Sequence, residues 1–472
     1  MKRFIVLTAF LSFSFLVYSQ ISFEKSLDIG FNDSDEAWSV VQTSDGGYVV
    51  SGATWTSDEN WFDMAMMKIN QNGEMIWTKT YGVGMMSLEV AYSIDVTTDG
   101  GFIIVGGTDG FTGDNDFWII RTDENGDSLW SKTYGGDNQE YAHSVIQTDD
   151  GGFIIAGETN SFGAGSDDIY VVKTDANGEE QWSQTYGTEN PDGAYCIRQT
   201  TDGGYIIGGS TNGYMDGYVV KIDANGALEW EKSFGGPITD EIFSIKQTDD
   251  GGYIAAGATM SIGAGNYDFW LLKLNATGEL TWEKAYGGTE KDKAWGIAIS
   301  NDGGYVLAGF SESFHQAEED EGVYMIKTNI NGDTLWTRTY GNDHNDGAQA
   351  VISTDDGGFL MAGYNYVSGE SNNFYLIKTH SNGTVGVDEP GNKVTLLDIY
   401  PNPFRTFATL NFPNPANITF NLVITNTSGT IVRKRDNISG DKVVIEKGDL
   451  PPGIYFVELK GDRVFRSKII VN

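Results

Sequence analysis

The sequence predicts an all-β protein, a seven-bladed β-propeller with four antiparallel strands per blade, followed by a small β-sandwich. Three observations carry this expectation. An Asp-Gly-Gly triplet recurs at Asp45, Asp99, Asp150, Asp202, Asp250, Asp302 and Asp356, with spacings of 48 to 54 residues. A second turn column keeps step with it: Asn72-Gly73, Asn125-Gly126, Asn177-Gly178, Asn225-Gly226, Thr277-Gly278, Asn331-Gly332 and Asn382-Gly383. The third observation is that the two ends of the repeat region complement each other.

Each repeat reads as four strands. In the third copy they are AHSVIQT (a), FIIAGET (b), DIYVVKT (c) and EQWSQTYG (d), joined by DDGG, a loop and DANG. Glycine and asparagine reach positive φ at low cost, as tight hairpin turns require, and the flanking runs are rich in β-branched and aromatic residues. A lone four-stranded sheet leaves two faces to bury, so the copies must stack, and radial closure is the usual arrangement.

The ends favour closure over an open stack. Strand d carries Trp77, Trp130, Trp182, Trp230, Trp282 and Trp336, but the seventh copy has Val387 there and runs into a linker. Phe23-Glu24-Lys25-Ser26 near the start matches the Trp-Glu-Lys-Ser of the fourth copy (Trp230 to Ser233), so an N-terminal strand is expected to complete the last blade. The domain plan is a signal peptide over residues 1–19, a propeller over 20–387, a linker over 388–394 and a C-terminal domain over 395–472. The signal peptide is read from Lys2 and Arg3, the apolar run after them and small residues near Ser19. No later stretch is apolar and long enough to form a membrane-spanning helix.

Charge is uneven. Residues 20–394 hold 18 Lys and Arg against 59 Asp and Glu, whereas 395–472 hold 10 against 7. Nucleic acid and anionic membranes are therefore disfavoured as partners of the body. Cys196 is the sole cysteine, so stability rests on packing, without disulfides or thiolate metal sites.

An antiparallel blade puts the two turn columns on one face and the variable loops on the other, where any site is expected. Loop aromatics Trp55, Trp61, Phe111, Tyr214 and Phe314 are the ligand candidates there. Ten residues before each triplet aspartate stands an acid, Asp35, Glu89, Glu140, Asp192, Asp240, Asp292 or Asp346. With strand a innermost these would ring the channel mouth, holding a cation or sugar hydroxyls, or accepting hydrogen bonds from loop backbone. The column Trp38, Tyr92, His143, Tyr195, Phe243, Trp295 and Gln349 is expected to be inter-blade core, with a sugar-stacking platform as the alternative.

Strand c carries a base in every copy (Lys68, Arg121, Lys173, Lys221, Lys273, Lys327, Lys378). It is expected to pair with the aspartate five residues earlier (Asp63, Asp116, Asp168, Asp216, Asp268) where one is present. Catalytic signals are sparse. Metal candidates are Asp109, Asp114 and Asp116 for calcium, and His315 with His344, aided by Glu318, Glu319, Asp320 or Asp343. No cofactor other than such a calcium ion is expected. TDENGDSLW (122–130) is out of register with a sialidase Asp-box, and the body's three arginines, Arg121, Arg198 and Arg338, occupy strand positions of the repeat.

The tail from 395 is strand-rich and does not continue the repeat. Tyr400-Pro401-Asn402-Pro403, Ser428-Gly429, Pro452-Gly453-Ile454-Tyr455 and Lys468-Ile469-Ile470-Val471 occur in that order up to the chain end. This segment resembles the type A C-terminal sorting domain of the Bacteroidota type IX secretion system. The resemblance implies that Tyr400, Pro401, Asn402, Pro403, Gly429, Gly453, Tyr455 and Lys468 belong to a sorting signal recognised by that machinery. It also implies translocation across the outer membrane to the cell surface or medium. The leading expectation is a secreted or surface-attached module that binds a glycan or protein. The competing one is an extracellular carbohydrate-active hydrolase or lyase with an acidic site on the variable face.

Overall fold

The computed structural model describes residues 21–29, 34–56, 61–83, 89–108, 115–314, 320–341, 344–366, 372–385, 395–396, 398–400, 402, 404–412, 419–426, 430–460 and 464–472. Residues 1–387 and 388–472 form two compact units. The first is a seven-bladed β-propeller, built as seven four-stranded antiparallel sheets. Strand a of the successive blades spans Asp35–Gln42, Val90–Val96, Glu140–Gln147, Gly193–Gln199, Asp240–Gln247, Asp292–Ile299 and Asp346–Ser353. The last blade takes its fourth strand from Phe23–Leu27, which pairs antiparallel with Asn372–Thr379 in the register Phe23↔Lys378.

Burial follows the order of the strands. Strands b and c are covered on both sides and read as continuous apolar runs, as in Phe153–Thr159 and Asp168–Thr174. Strand d forms the outer edge and is largely exposed or half-buried, as in Ser128–Tyr134. The core lies between blades. Ile154, Ala156, Ile169 and Val171 of the third blade pack on Ala194, Ile197, Ile207 and Val220 of the fourth.

Two devices join blades at the rim. The strand-d tryptophan covers the turn glycine of the following blade, and in five blades a tyrosine four residues further on donates to that glycine's carbonyl, at 2.5 Å for Tyr81–Gly126 and 2.6 Å for Tyr134–Gly178, while Phe234 takes that place in the fourth blade. At the ring's seam, Phe23 replaces the tryptophan. Gly73, at φ +74°, lies so close to the Phe23 ring that a Cβ there would fall 2.9 Å from it. Lys25 Nζ donates to the Gly73 carbonyl at 2.7 Å. Val387, where the seventh copy loses its tryptophan, lies outside the described residues, as do residues 1–20.

The Asp-Gly-Gly turn is a small network of its own. Thr43 Oγ1 donates to Asp45 Oδ1 at 2.5 Å, and Gly47 N donates to the same oxygen at 2.9 Å. The strand-c bases complete this network, which corrects the pairing expected from spacing. Lys68 meets Asp45 at 2.8 Å, Lys173 meets Asp150 at 2.9 Å, Lys327 meets Asp302 at 2.9 Å and Lys378 meets Asp356 at 3.0 Å. The physical reason is parity: residues five apart on a strand point to opposite faces and lie about 16 Å apart, beyond ion-pair reach. The strand-c aspartates instead hold the variable-face loops, with Asp168 accepting from Gly165 N at 2.8 Å and Asp268 from Ala264 N at 2.8 Å.

The second unit is a β-sandwich. Its five-stranded sheet includes Phe420–Asn426, Gly453–Lys460 and Val464–Val471, and its three-stranded sheet comprises Asp398–Tyr400, Phe407–Asn411 and Lys442–Glu446. Phe404, Leu410, Phe420, Ile424, Val457, Leu459 and Ile469 form the core between them.

Candidate functional site

In all seven blades the pairing of strands a and b slips at one place, between Ala37 and Ser39, Ala91 and Ser93, Ala142 and Ser144, Ala194 and Cys196, Ile242 and Ser244, Ala294 and Gly296, and Ala348 and Ala350. The residue skipped each time is the member of the aromatic column. A β-bulge leaves its extra residue unpaired and re-aims its side chain. Here it turns Trp38, Tyr92, His143, Tyr195, Phe243, Trp295 and Gln349 into one shared cavity of about 350 Å³. This column is thus channel lining, and the expectation of inter-blade core is corrected. The alanines two positions after the acid column, fully buried at 0–2 %, take the core role instead.

The rings touch in sequence around the channel. Centroid separations are 5.0 Å for Trp38–Tyr92, 5.2 Å for Tyr92–His143, 5.7 Å for His143–Tyr195 and 5.3 Å for Tyr195–Phe243. Phe243 and Trp295 stack at 4.2 Å, and Trp295 meets Trp38 at 6.5 Å. Within this wall Trp38 Nε1, Trp295 Nε1, His143 Nε2 and Gln349 Oε1 are buried without a hydrogen-bond partner among the described residues. Such atoms cost roughly 1–3 kcal/mol each when left unsatisfied.

The acid column sits elsewhere. Asp35, Glu89, Glu140, Asp192, Asp240, Asp292 and Asp346 are 0–1 % exposed, so they do not present a carboxylate ring to solvent at the channel mouth. They tie strand ends to loops: Asp240 accepts from Thr259 Oγ1, from Gly236 N at 2.8 Å and from Ser261 Oγ at 2.7 Å, and Asp292 accepts from Gly288 N at 2.7 Å. Glu140 likewise accepts from Gly136 N at 2.8 Å and Thr159 Oγ1 at 2.6 Å.

Between the acid and alanine columns lies one that sequence reasoning passed over: Glu36, Val90, Tyr141, Gly193, Glu241, Lys293 and Gly347. Its lack of a common residue type, beside uniform neighbours, was the available signal. Glu241 and Lys293 line the aromatic cavity and meet at 3.3 Å, while Lys293 Nζ lies 3.8 Å above the Tyr267 ring. Other acids around these strand ends are also engaged. Asn372 donates to Glu36 at 3.2 Å, Tyr214 to Glu158 at 3.4 Å and Tyr364 to Glu321 at 2.9 Å. Burial pushes the Glu36 and Glu321 carboxyls above the ordinary range, opposed by their hydrogen bonds.

The loop candidates are dispersed. Half-buried Trp55 packs edge-on against Phe62 at 5.1 Å, and Trp61 opens strand c of the first blade. Tyr214 holds φ +64° in its turn and reaches Glu158. Phe314 is 43 % exposed and leans on Tyr324 at 4.9 Å. His344 packs edge-on against Tyr366 at 5.6 Å. Phe111, Asp109, Asp114, His315, Glu318, Glu319 and Asp343 lie outside the described residues, and Asp116 is buried at the start of its strand. Among the described residues no group of three His, Cys, Asp or Glu side chains is placed to hold a metal. Burial pushes the Cys196 thiol up, which suits an inert core position.

In the tail, the sorting-signal residues include structural clasps. Asn402 Nδ2 donates to the Lys468 carbonyl at 2.8 Å, and its Oδ1 accepts from Ile470 N at 2.8 Å, fixing the terminal strand. Tyr455 OH donates to the Pro451 carbonyl at 2.8 Å, and Gly453 opens the strand that follows that turn. Tyr400 closes a short strand and Lys468 is exposed, while Pro401, Pro403 and Gly429 lie outside the described residues.

Residues 398–472 match the family model described as a secretion system C-terminal sorting domain. No curated protein matches the chain. Solved structures with a similar fold include the WD40 domain of Neurospora crassa Pan2, at 11 % identity and a TM-score of 0.46, covering 75 % of this chain and 91 % of that one. A protein of unknown function from Dyadobacter fermentans is similar at 13 % identity and a TM-score of 0.40, covering 75 % and 98 %. An α-L-arabinofuranosidase from Fusarium graminearum is similar at 8 % identity and a TM-score of 0.42, covering 78 % and 98 %. No helix among the described residues is long and apolar enough to cross a membrane. The sorting tail implies export to the cell surface or extracellular space. The chain is a seven-bladed β-propeller that carries a type IX secretion system C-terminal sorting domain.

Proposed function

We propose that this protein is an exported, non-catalytic binding module that holds a sugar residue of a glycan in the aromatic cavity of its propeller. The domain plan behind this reading is a signal peptide over residues 1–19, a body over 20–387, a linker over 388–394 and a sorting tail over 395–472. The observation that carries it is the seven-residue wall, in which six aromatic rings surround about 350 Å³ and four polar atoms lack a hydrogen-bond partner among the described residues. That volume falls within the roughly 300–1,000 Å³ of small-ligand sites. Sugar rings stack on aromatic faces through their C–H groups, and sugar hydroxyls both donate and accept. Two indole N–H donors, an amide oxygen and an imidazole nitrogen suit hydroxyls better than they suit a charged ligand.

Binding without turnover is favoured by how the nearby acids are used. Glu241 is paired with Lys293, Glu158 with Tyr214, Glu321 with Tyr364 and Glu36 with Asn372. Glycoside hydrolysis needs two carboxyls free to act on one bond. The test is a glycan array probed with the full chain, followed by calorimetry on hits and an assay for released sugars. Saturable binding that Trp295→Ala weakens about tenfold or more, with no product released, supports the reading. Turnover of a bound glycan, or binding untouched by Trp295→Ala and Trp38→Ala, overturns it.

A further inference from the structure

The body is strongly acidic, and its bases are almost all committed. The strand-c bases pair with the triplet aspartates, and Lys79, Lys132, Lys232 and Lys284 pair with acids of the next blade's Asn-Gly turn. Lys25 and Arg338 donate to backbone carbonyls of those turns. Lys291 pairs with Glu312 and Lys293 with Glu241. Arg198 and Lys246 remain, and both stand four residues before a triplet aspartate. In that strand-a column Val41, Ile146, Ala298 and Ile352 are apolar, Asp95 is acidic, and Arg198 and Lys246 are basic.

Arg198 and Lys246 come from neighbouring blades and line one cavity of about 490 Å³ with Gln199, Gln247, Thr201 and Asp249. This cavity opens among the Asp-Gly-Gly turns, away from the bulged residues that form the aromatic wall. Neither base forms an ion pair among the described residues. Arg198 Nη1 donates to Ser144 Oγ at 3.2 Å and to its own strand's Ile197 carbonyl at 2.7 Å, which fixes the guanidinium against the strand and engages a single nitrogen. Gln199 and Gln247 are held by the turns, accepting from Asp149 N at 3.0 Å and Thr201 N at 2.8 Å, so the cavity wall is set before any ligand arrives.

We propose that this turn-face cavity is a binding site for a small oxyanion, a carboxylate or phosphate group, held between Arg198 and Lys246. A guanidinium fork and an ammonium converging on one space match the several acceptor lone pairs of an oxyanion. The uniform turn network has no need of either base, because the same column is apolar in four other blades. Burial, with the adjacent Arg198 charge, pushes the Lys246 ammonium down to about 8, opposed by Asp95 of the second blade, which acts on both bases; an anion between the two would offset their repulsion further.

The site is separate from the aromatic cavity, so the two readings fail independently. The experiment titrates the full chain with inorganic phosphate and, separately, with acetate, at constant ionic strength set with chloride, using calorimetry. Saturable binding of either anion is expected, and which one binds more tightly distinguishes a phosphate from a carboxylate ligand. Lys246→Met and Arg198→Gln should each weaken it about tenfold, while Trp295→Ala leaves it unchanged. Lys246→Met keeps the aliphatic bulk, and its melting temperature checks that the fold survives. Non-saturable heats for both anions, or equal affinity in Lys246→Met and the parent chain, overturn the proposal.

Discussion

The two faces of the propeller use the same strands in opposite ways. On the turn face every blade repeats one network of triplet aspartate, strand-c base and threonine or serine hydroxyl, as in Asp150, Lys173 and Thr148. Toward the other face the acid column stays uniform, but the next position along strand a changes from Glu36 to Tyr141 to Lys293. The difference teaches that sevenfold repetition here marks load carried by the fold, and that recognition is sought where a column breaks. Lys246 and Arg198 apply the same lesson to the turn face, since they break a column that is apolar in four blades and acidic in one, at Asp95.

The largest expected effect comes from opening the seam that makes the columns a ring. Phe23 is 8 % exposed and packs on the Gly73 turn. Phe23→Ala should cost about 3 kcal/mol of propeller stability, read from urea denaturation of the full chain. A loss below about 1 kcal/mol would mean that the N-terminal strand contributes little to closure.

A smaller effect separates uniform from broken columns directly. Asp240→Ala removes the acceptor for Thr259, Gly236 and Ser261 and should destabilise by about 2 kcal/mol. Glu158→Gln, at a position where other blades carry alanine, glycine, serine, phenylalanine or tyrosine, should change stability by less than about 0.5 kcal/mol. Equal losses in the two variants would dissolve the distinction between load and recognition.

The smallest effect is in pH. Hydrogen bonds and the partner lysine hold Asp45 down to about 2 against an ordinary value of 3.8, and Asp250 and Asp302 reach about 2 despite some burial. A carboxyl lowered on folding stabilises the native state above its unfolded value and loses that contribution as pH falls through the folded one. The turn network should therefore weaken between about pH 4 and pH 2. Asp168 and Asp268, raised by burial, act in the opposite sense and gain on protonation. The melting temperature should fall across that window, with a shallower slope in Asp250→Asn. An unchanged slope in that variant would remove the triplet aspartates as its cause.

Much of this architecture is legible in the amino-acid order because turns and strand periodicity are local. Asp-Gly-Gly and Asn-Gly mark the hairpins, Phe23 announces the closing strand, and the motifs from Tyr400 to Val471 identify the tail. The candidate site was less legible. Simple alternation along strand a places Trp38 opposite in face to Ala37 and gives no reason for it to leave the blade interface; the bulge that swings it into the channel is a slip in pairing with strand b. The partners of Lys173 and Lys221 were likewise hidden, since the base and its aspartate belong to different strands. Strand spacing is a property of the chain, whereas the direction of a bulged side chain and the choice of an ion partner depend on packing between strands and blades, which only the tertiary structure decides.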